Sequence, residues 1–408
     1  MKKRFFLPMA ASLLMSLSCM TFTASCGHSP RPTSAADTLA VTSDSLLKVK
    51  YAKGFSVRTL ENGIRLVDVA DPQADDETSG MDKMPVSYHF ALVRKGQNPA
   101  VPEGYTPVQV PVERTIVMTM LQLSNFTALD ALDVVRGITG TKNLFNREIR
   151  SRVKDGRILK IGMEGNFDTE LIMSADPEVI FISPFKRGGY DVIKETGITL
   201  IPHLGYKELH PLGQAEWIKF VGLFLGKETE ADSIFAGIES RYESLKLKIQ
   251  SSSQDEAATP GASSLGRTPT VFSGEMHGGN WYAVGGRNSL AQLFRDAGAE
   301  YVIKDDNTGG VNIEFEKMYA LAADADYWRI LNSFPGDFSY EALKASEPRN
   351  ELFRAFREKK VIYCNMKQTP YYELSPVSPD VLLADLAAIF HPELMPADYE
   401  PTFYRLLR

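Results

Sequence analysis

The chain has 408 residues, 44% of them hydrophobic, and a formal net charge of −6. That length suits two lobes of ordinary domain size, each able to bury its own core. Net acidity argues against nucleic acid as the main partner, and the only cysteines, Cys19, Cys26 and Cys364, provide no framework for a disulfide-stapled fold.

Lys2, Lys3 and Arg4 precede a largely apolar stretch that runs to about Phe22, and residues 1–25 read as a secretory signal. Cys26 follows Thr23-Ala24-Ser25 and precedes Gly27, which resembles the lipobox at which a lipidated cysteine is left; Thr23 stands where leucine is usual, and Cys19 after Leu17-Ser18 is the second candidate. Loss of this leader removes three basic residues and leaves Cys364 as the one thiol of the mature chain. Residues 26–48, rich in Ser, Thr, Pro and Ala, read as a flexible tether.

Residues 49–111 make a β-rich extension, with strands expected at Ile64–Val69 and Tyr88–Val93 around an acidic loop from Asp71 to Asp82. The span 112–208 then reads as an α/β lobe. It has a buried strand Thr115–Thr119, a polar loop Met120–Asn125, a helix Phe126–Leu132, a helix from Asp168 through Ser174 and a strand Glu178–Ile182. Residues 209–250 are helical: Pro211–Leu225 stopped by Gly226, then a second helix opened by the capping box Thr229-Glu230-Ala231-Asp232. Residues 251–268 read as an exposed loop. In 269–408 the rhythm repeats: strand Thr270–Phe272, a Gly-rich loop, helix Ser289–Asp296, strand Tyr301–Ile303, a helix capped by Asn312 and running through Leu321, and strand Asp326–Leu331. The expected fold is α/β: two open parallel-sheet lobes bridged by a long helix, with a small β-rich N-terminal extension.

Four stretches carry a resemblance to the class III periplasmic binding proteins, which serve siderophore, haem and cobalamin ABC importers. Arg114–Met118 through Leu129–Leu132 to Val135–Thr139 looks like that family's opening strand, helix and glycine-ended strand, and Asp168–Ile172 through Asp176–Ile180 is similar to its helix-then-strand motif. Phe315-Glu316 through Ala325–Trp328 repeats the motif with Ala325 where proline is usual, and Val377–Asp380 through His391–Leu394 resembles its C-terminal helix. The resemblance implies a ligand in the cleft between lobes, a small hinge motion, and partnership as a monomer with a permease and an ATPase. It also implies one docking glutamate per lobe; Glu170 and Glu316 match those positions, with Glu314 competing for the second. Exposed carboxylates can take bidentate bonds from permease arginines, but both also sit in first helical turns, where they favour the dipole. The extension and the 251–268 insertion depart from the family and carry no assigned role.

Candidate ligand contacts centre on Glu275–Tyr282 in the second lobe. Trp281 and Tyr282 offer flat faces with polar edges, and His277 can ligate a metal or donate a hydrogen bond. A fold-back of the aromatics into the core is the competing reading. Arg287 suits an anionic chelate or solvent equally. Gln122 and Ser124 are the polar candidates of the first lobe, with Phe185 and Arg187 after a strand end, and Tyr371 and Tyr372 before the C-terminal helix; His203 and Tyr206 are weaker candidates. The six histidines show no close-spaced pair, so no protein-built metal site or resident cofactor is expected, and any metal arrives already chelated as ferric siderophore, haem or cobalamin. Gly-x-Ser-x-Gly, Walker A and CxxC patterns are absent. An envelope enzyme built on His277 with Glu275, or an assembly lipoprotein using the extension, are the readings of other classes.

Overall fold

The computed structural model describes residues 41–42, 48–73, 87–140, 144–163, 165–184, 190–257 and 267–408. The expectations for the leader, for Cys26 and for Phe185 and Arg187 fall outside them. The first lobe is a five-stranded parallel sheet in the order Thr199–Pro202, Val179–Ile182, Thr115–Val117, Val135–Ile138, Leu159–Lys160. The second has the order Glu300–Tyr301, Thr270–Ser273, Tyr327–Asn332, Val361–Asn365, with Arg405–Leu406 added antiparallel at the edge. With the edge strands Leu159–Lys160 and Arg405–Leu406 left out of the numbering, both share the order second–first–third–fourth strand, which is why the same rhythm reads twice along the chain. Val179–Ile182 is buried at every position, as a parallel strand covered on both faces must be.

One helix start moves in each lobe. Met120–Ala128 is a helix, not a loop, because Thr119 caps it: its hydroxyl accepts from the backbone of Gln122, whose side-chain oxygen accepts in return from Thr119. The Thr-x-x-Gln signature is in the sequence and moves the helix six residues earlier than apolar periodicity places it. In the second lobe, Asn312 lies in strand Gly310–Ile313 and the helix is Phe315–Ala322 with Glu314 at its cap.

Helix Pro211–Leu225 opens on Pro with the His210 ring accepting from Leu212 N and ends at Gly226 in the left-handed region (φ +66°). Nearly every residue of it is buried, so it has no solvent face. The next helix begins at Glu228, ahead of the expected capping box, and runs to Ala257, so Ser251–Ala257 is helical rather than loop. The Ser251 and Ser252 hydroxyls donate back to Leu247 O and Ile249 O, which keeps those serines compatible with helix.

The extension forms a five-stranded sheet with Val41–Thr42, a strand from within the expected tether, in the order Val41–Thr42, Phe55–Leu60, Arg65–Val69, Tyr88–Arg94 and Thr106–Val110, antiparallel except for the last pair. It packs on the bridging helix: Phe55 meets Trp217 and Phe220 with ring centroids 5.0 and 5.4 Å apart, and Phe90 meets Phe224 at 6.1 Å. Two buried carboxylates, Glu216 on that helix and Glu208 just before it, hold the start of the extension. Glu216 accepts from the backbone N–H of Lys50, Tyr51 and Ala52, and Glu208 from Lys53, Gly54 and the Trp217 indole. Among the described residues no helix is long and apolar enough to cross a membrane.

Candidate ligand cleft

In an open α/β sheet, ligands meet the carboxyl ends of the strands where the strand order reverses, here between the first and third strands of each lobe. A cavity of about 1210 Å³ opens at that position in the second lobe, where Ser273 and Arg329 line it, and reaches Thr119–Leu121 after the first strand of the first lobe. A pocket for a drug-sized molecule is roughly 300–1,000 Å³, so this cleft is somewhat larger than that range.

The second-lobe wall is a β-hairpin rather than a loop. Glu275–His277 pairs with Asn280–Val284 around Gly278 and Gly279, whose φ values of +57° and +88° give the two-residue turn that only such residues adopt without strain. The pairing settles which side chains face the cleft. Glu275 lies opposite Tyr282, and Met276 opposite Trp281. Alternation puts Glu275, His277 and Tyr282 on the cavity face and Trp281 on the other. Tyr282 is 48% exposed, and its ring lies over Gly310, where any Cβ would fall 2.2 Å from the phenol oxygen.

Trp281 is therefore corrected from ligand contact to core. It is 0% exposed, its indole donates to Ser273 O at 2.9 Å, and it packs with Phe272, Phe315, Trp328 and Phe353. Gln122 and Ser124 are corrected in the same way. Gln122 is fully buried, bonded to Met118 N, Thr119 N and the Ser183 hydroxyl, and Ser124 donates to Leu121 O. The first-lobe wall is instead Met120 and Leu121 with Tyr206 and Lys207. His203 packs under Trp217, and burial pushes its pKa down to about 3, so it is a neutral core histidine. Tyr371 and Tyr372 line the cavity; Arg287 is exposed and does not.

Arg329 lines the cleft and was not anticipated. It is 7% exposed on the third strand of the second lobe, and among the described residues its guanidinium donates only to the Tyr404 phenol, at 3.1 and 2.5 Å. Tyr404 is held in turn by Tyr371 at 2.9 Å. Among the described residues no carboxylate lies within ion-pair distance of Arg329. The nearby Glu275 carboxylate is engaged by Asn332 at 3.1 Å and faces His277 at 3.4 Å; burial raises its pKa against the opposing pull of Asn332, His277 and Arg329. A guanidinium has five N–H donors, and one phenol leaves most of them for whatever fills the cavity. Among the described residues no group of three or more His, Cys, Asp or Glu is placed to hold a metal ion.

The docking candidates differ from one another. Glu170 is exposed in the first turn of Thr169–Ser174, whereas Glu316, equally on the surface, pairs with Arg349 at 3.2 Å; Glu314 faces Lys317 at 3.4 Å.

Two α/β lobes with a helical bridge and a ligand-sized cleft at the strand ends define a bilobed binding protein. Residues 119–367 match the family model described as periplasmic binding protein, and the chain belongs to that family, in its class III branch. An uncharacterized lipoprotein of Methanocaldococcus jannaschii is 27% identical over 307 residues, 71% of this chain and 68% of the relative. A periplasmic heme binding protein from Pseudomonas aeruginosa superposes with a TM-score of 0.54 at 18% identity, covering 73% of this chain and 98% of that one. A protein of an ABC-type Fe3+-hydroxamate transport system from Saccharomonospora viridis does so at 0.50 and 17%, covering 69% and 94%.

Proposed function

We propose that this protein is the substrate-binding component of an ABC importer, anchored by a lipid on Cys26, and that it captures a metal chelate bearing an oxyanion and delivers it to the permease. An iron-siderophore leads, with haem or cobalamin as the alternatives within the family. The observation that carries the reading is a cleft of about 1210 Å³ walled by Tyr282, Tyr371 and Tyr372, with the buried Arg329 guanidinium lacking a carboxylate partner among the described residues. Tyrosine rings suit a flat or catechol-bearing ligand. Arginine in a dry site favours a carboxylate, phenolate or phosphate oxygen by forked hydrogen bonds. The similarity to heme-binding and Fe3+-hydroxamate transport proteins supports the chelate class.

A thermal-unfolding panel tests this. Haemin, cyanocobalamin, a ferric carboxylate siderophore, a ferric catecholate and a neutral ferric trihydroxamate are each added in excess. A ligand at about a hundred times its dissociation constant stabilises the fold by roughly 2.7 kcal/mol. An anionic chelate is expected to give the clear shift, and Arg329→Gln to weaken its binding about tenfold to a hundredfold, the worth of a hydrogen bond to a charged group. No shift with any chelate would remove the ligand class. A shift that Arg329→Gln leaves intact would remove the anionic requirement.

Docking of the permease is assigned to Glu170 and Glu316. In reconstituted vesicles, a Glu170→Ala, Glu316→Ala double variant is expected to bind ligand normally and to lose most transport. Unchanged uptake would sink that assignment. The pairing of Glu316 with Arg349 predicts that Glu170→Ala alone is the more harmful of the two single changes.

A further inference from the structure

The extension lies wholly before the family match at 119–367, yet one of its side chains reaches both lobes. Its start is fixed by Glu208 and Glu216, as described above. After strand Arg65–Val69 the chain turns at Asp71, which is 6% exposed, pairs with the Lys207 ammonium and accepts from Gln73 N at 3.0 Å. The Gln73 amide then divides its two ends between the lobes. Its Nε2 donates to Lys207 O at 2.7 Å in the first lobe, and its Oε1 accepts from the Thr308 hydroxyl at 2.8 Å in the second. Thr308 is not a loose loop residue. It is 7% exposed, and its carbonyl accepts from Asn288, the residue that caps helix Ser289–Asp296. Gln73, Lys207 and Thr308 all line the cavity.

The lobes are joined across the cleft at a second place, through Glu373. Its carboxylate, ahead of the C-terminal helix, accepts from Phe145 N at 2.5 Å and Asn146 N at 2.8 Å in the first lobe. That tie belongs to the lobes themselves; the one through Gln73 comes from the extension.

We propose that Gln73 is a clasp between the lobes, that the N-terminal sheet is the fixed post carrying it, and that together they set the resting width of the cleft and so the size of chelate admitted. A packed sheet held by two buried carboxylates does not follow a hinge motion cheaply, whereas a single amide–hydroxyl bond is weak enough to break and re-form as ligand enters. The ligand-size part rests on the proposed function; the clasp itself does not.

The test measures the lobe separation without any ligand. Spin labels go at Met173→Cys and Leu321→Cys, exposed positions on opposite lobes, in protein whose Cys19 and Cys26 are replaced by serine; Cys364 is buried, and burial pushes its pKa up to about 11, so it stays unlabelled. Gln73→Ala and Thr308→Val are each expected to broaden and lengthen the distance distribution, and the double variant to go no further, because either change alone already breaks the Gln73–Thr308 bond that crosses the cleft. The near-isosteric Thr308→Val keeps the test alive should Gln73→Ala fold poorly. With whichever chelate binds, each variant is expected to speed dissociation about two- to tenfold, the range of one neutral hydrogen bond. Distributions that match wild type in both single variants, or a double variant that shows the sum of two independent effects, overturn the clasp. A panel in which no chelate binds removes the ligand class and with it the size-selection part, while the distance measurement still decides the clasp.

Discussion

Replacing Trp281 with alanine is expected to cost about 3–5 kcal/mol of folding stability, the usual range for emptying a fully buried aromatic site, and not to act on ligand binding selectively. The indole fills the space between Phe272, Trp328, Phe315 and Phe353, and its N–H bond to Ser273 O disappears with it. Urea unfolding measures the loss, and ligand affinity measured well below the transition checks its selectivity. A variant that melts like wild type but no longer binds a chelate would put Trp281 back in the cleft. Tyr282→Ala, one residue on and facing the other way, is the matched control, since its ring is half exposed over Gly310. It should leave the melting transition nearly unchanged.

Glu216→Ala is expected to be as damaging, by about 3–5 kcal/mol, for an electrostatic reason. The carboxylate is 0% exposed and accepts from three successive backbone amides, Lys50, Tyr51 and Ala52, at 2.6–3.0 Å. Each buried donor left without an acceptor costs about 1–3 kcal/mol, and Lys219, 3.4 Å away, loses a counter-charge. Glu216→Gln keeps one acceptor oxygen and is expected to lose less. The same change should release the extension from the bridging helix before the lobes melt, seen as early proteolysis near residue 50 or as a second unfolding phase. A single transition at the wild-type urea midpoint would mean that the glutamate does not hold the segment.

Much of the fold was legible because local chemistry and local structure agree. Asp168 starts its helix and Ser174 is the last residue of it; Pro211 and Gly226 bound the bridging helix; Ser289–Asp296 falls where periodicity places it. In each case a cap, a proline or a glycine marks an end within a few residues of an apolar run. Two errors had signals that were present and outweighed. Thr119 with Gln122 is a capping box, and Gly278-Gly279 between alternating residues is a two-residue hairpin turn. Recognising the hairpin would have sent Trp281 and Tyr282 to opposite faces.

The cleft was less legible than the fold. Tyr282, Tyr371, Tyr372 and His277 were found because they lie in segments flanking strands and a helix, and all of them line the cavity. Arg329 enters the sequence reading only as a member of the expected strand Asp326–Leu331. A lone arginine between two buried apolar residues of a strand, Trp328 and Ile330, is itself a signal, since a charge there needs a partner or a ligand. Gln73 offered no such cue: Lys207 and Thr308, which it links, lie 134 and 235 residues away.

The sequence by itself determined the alternation of strands and helices in two similar halves, the bridging helices and the family, because caps, turn residues and apolar periodicity act over a few residues. Tertiary structure alone decided which aromatic faces the cleft, which carboxylates hold the extension, and that Gln73 spans both lobes. Those outcomes depend on strand register and on contacts between segments more than a hundred residues apart, where one residue of register exchanges core for cleft.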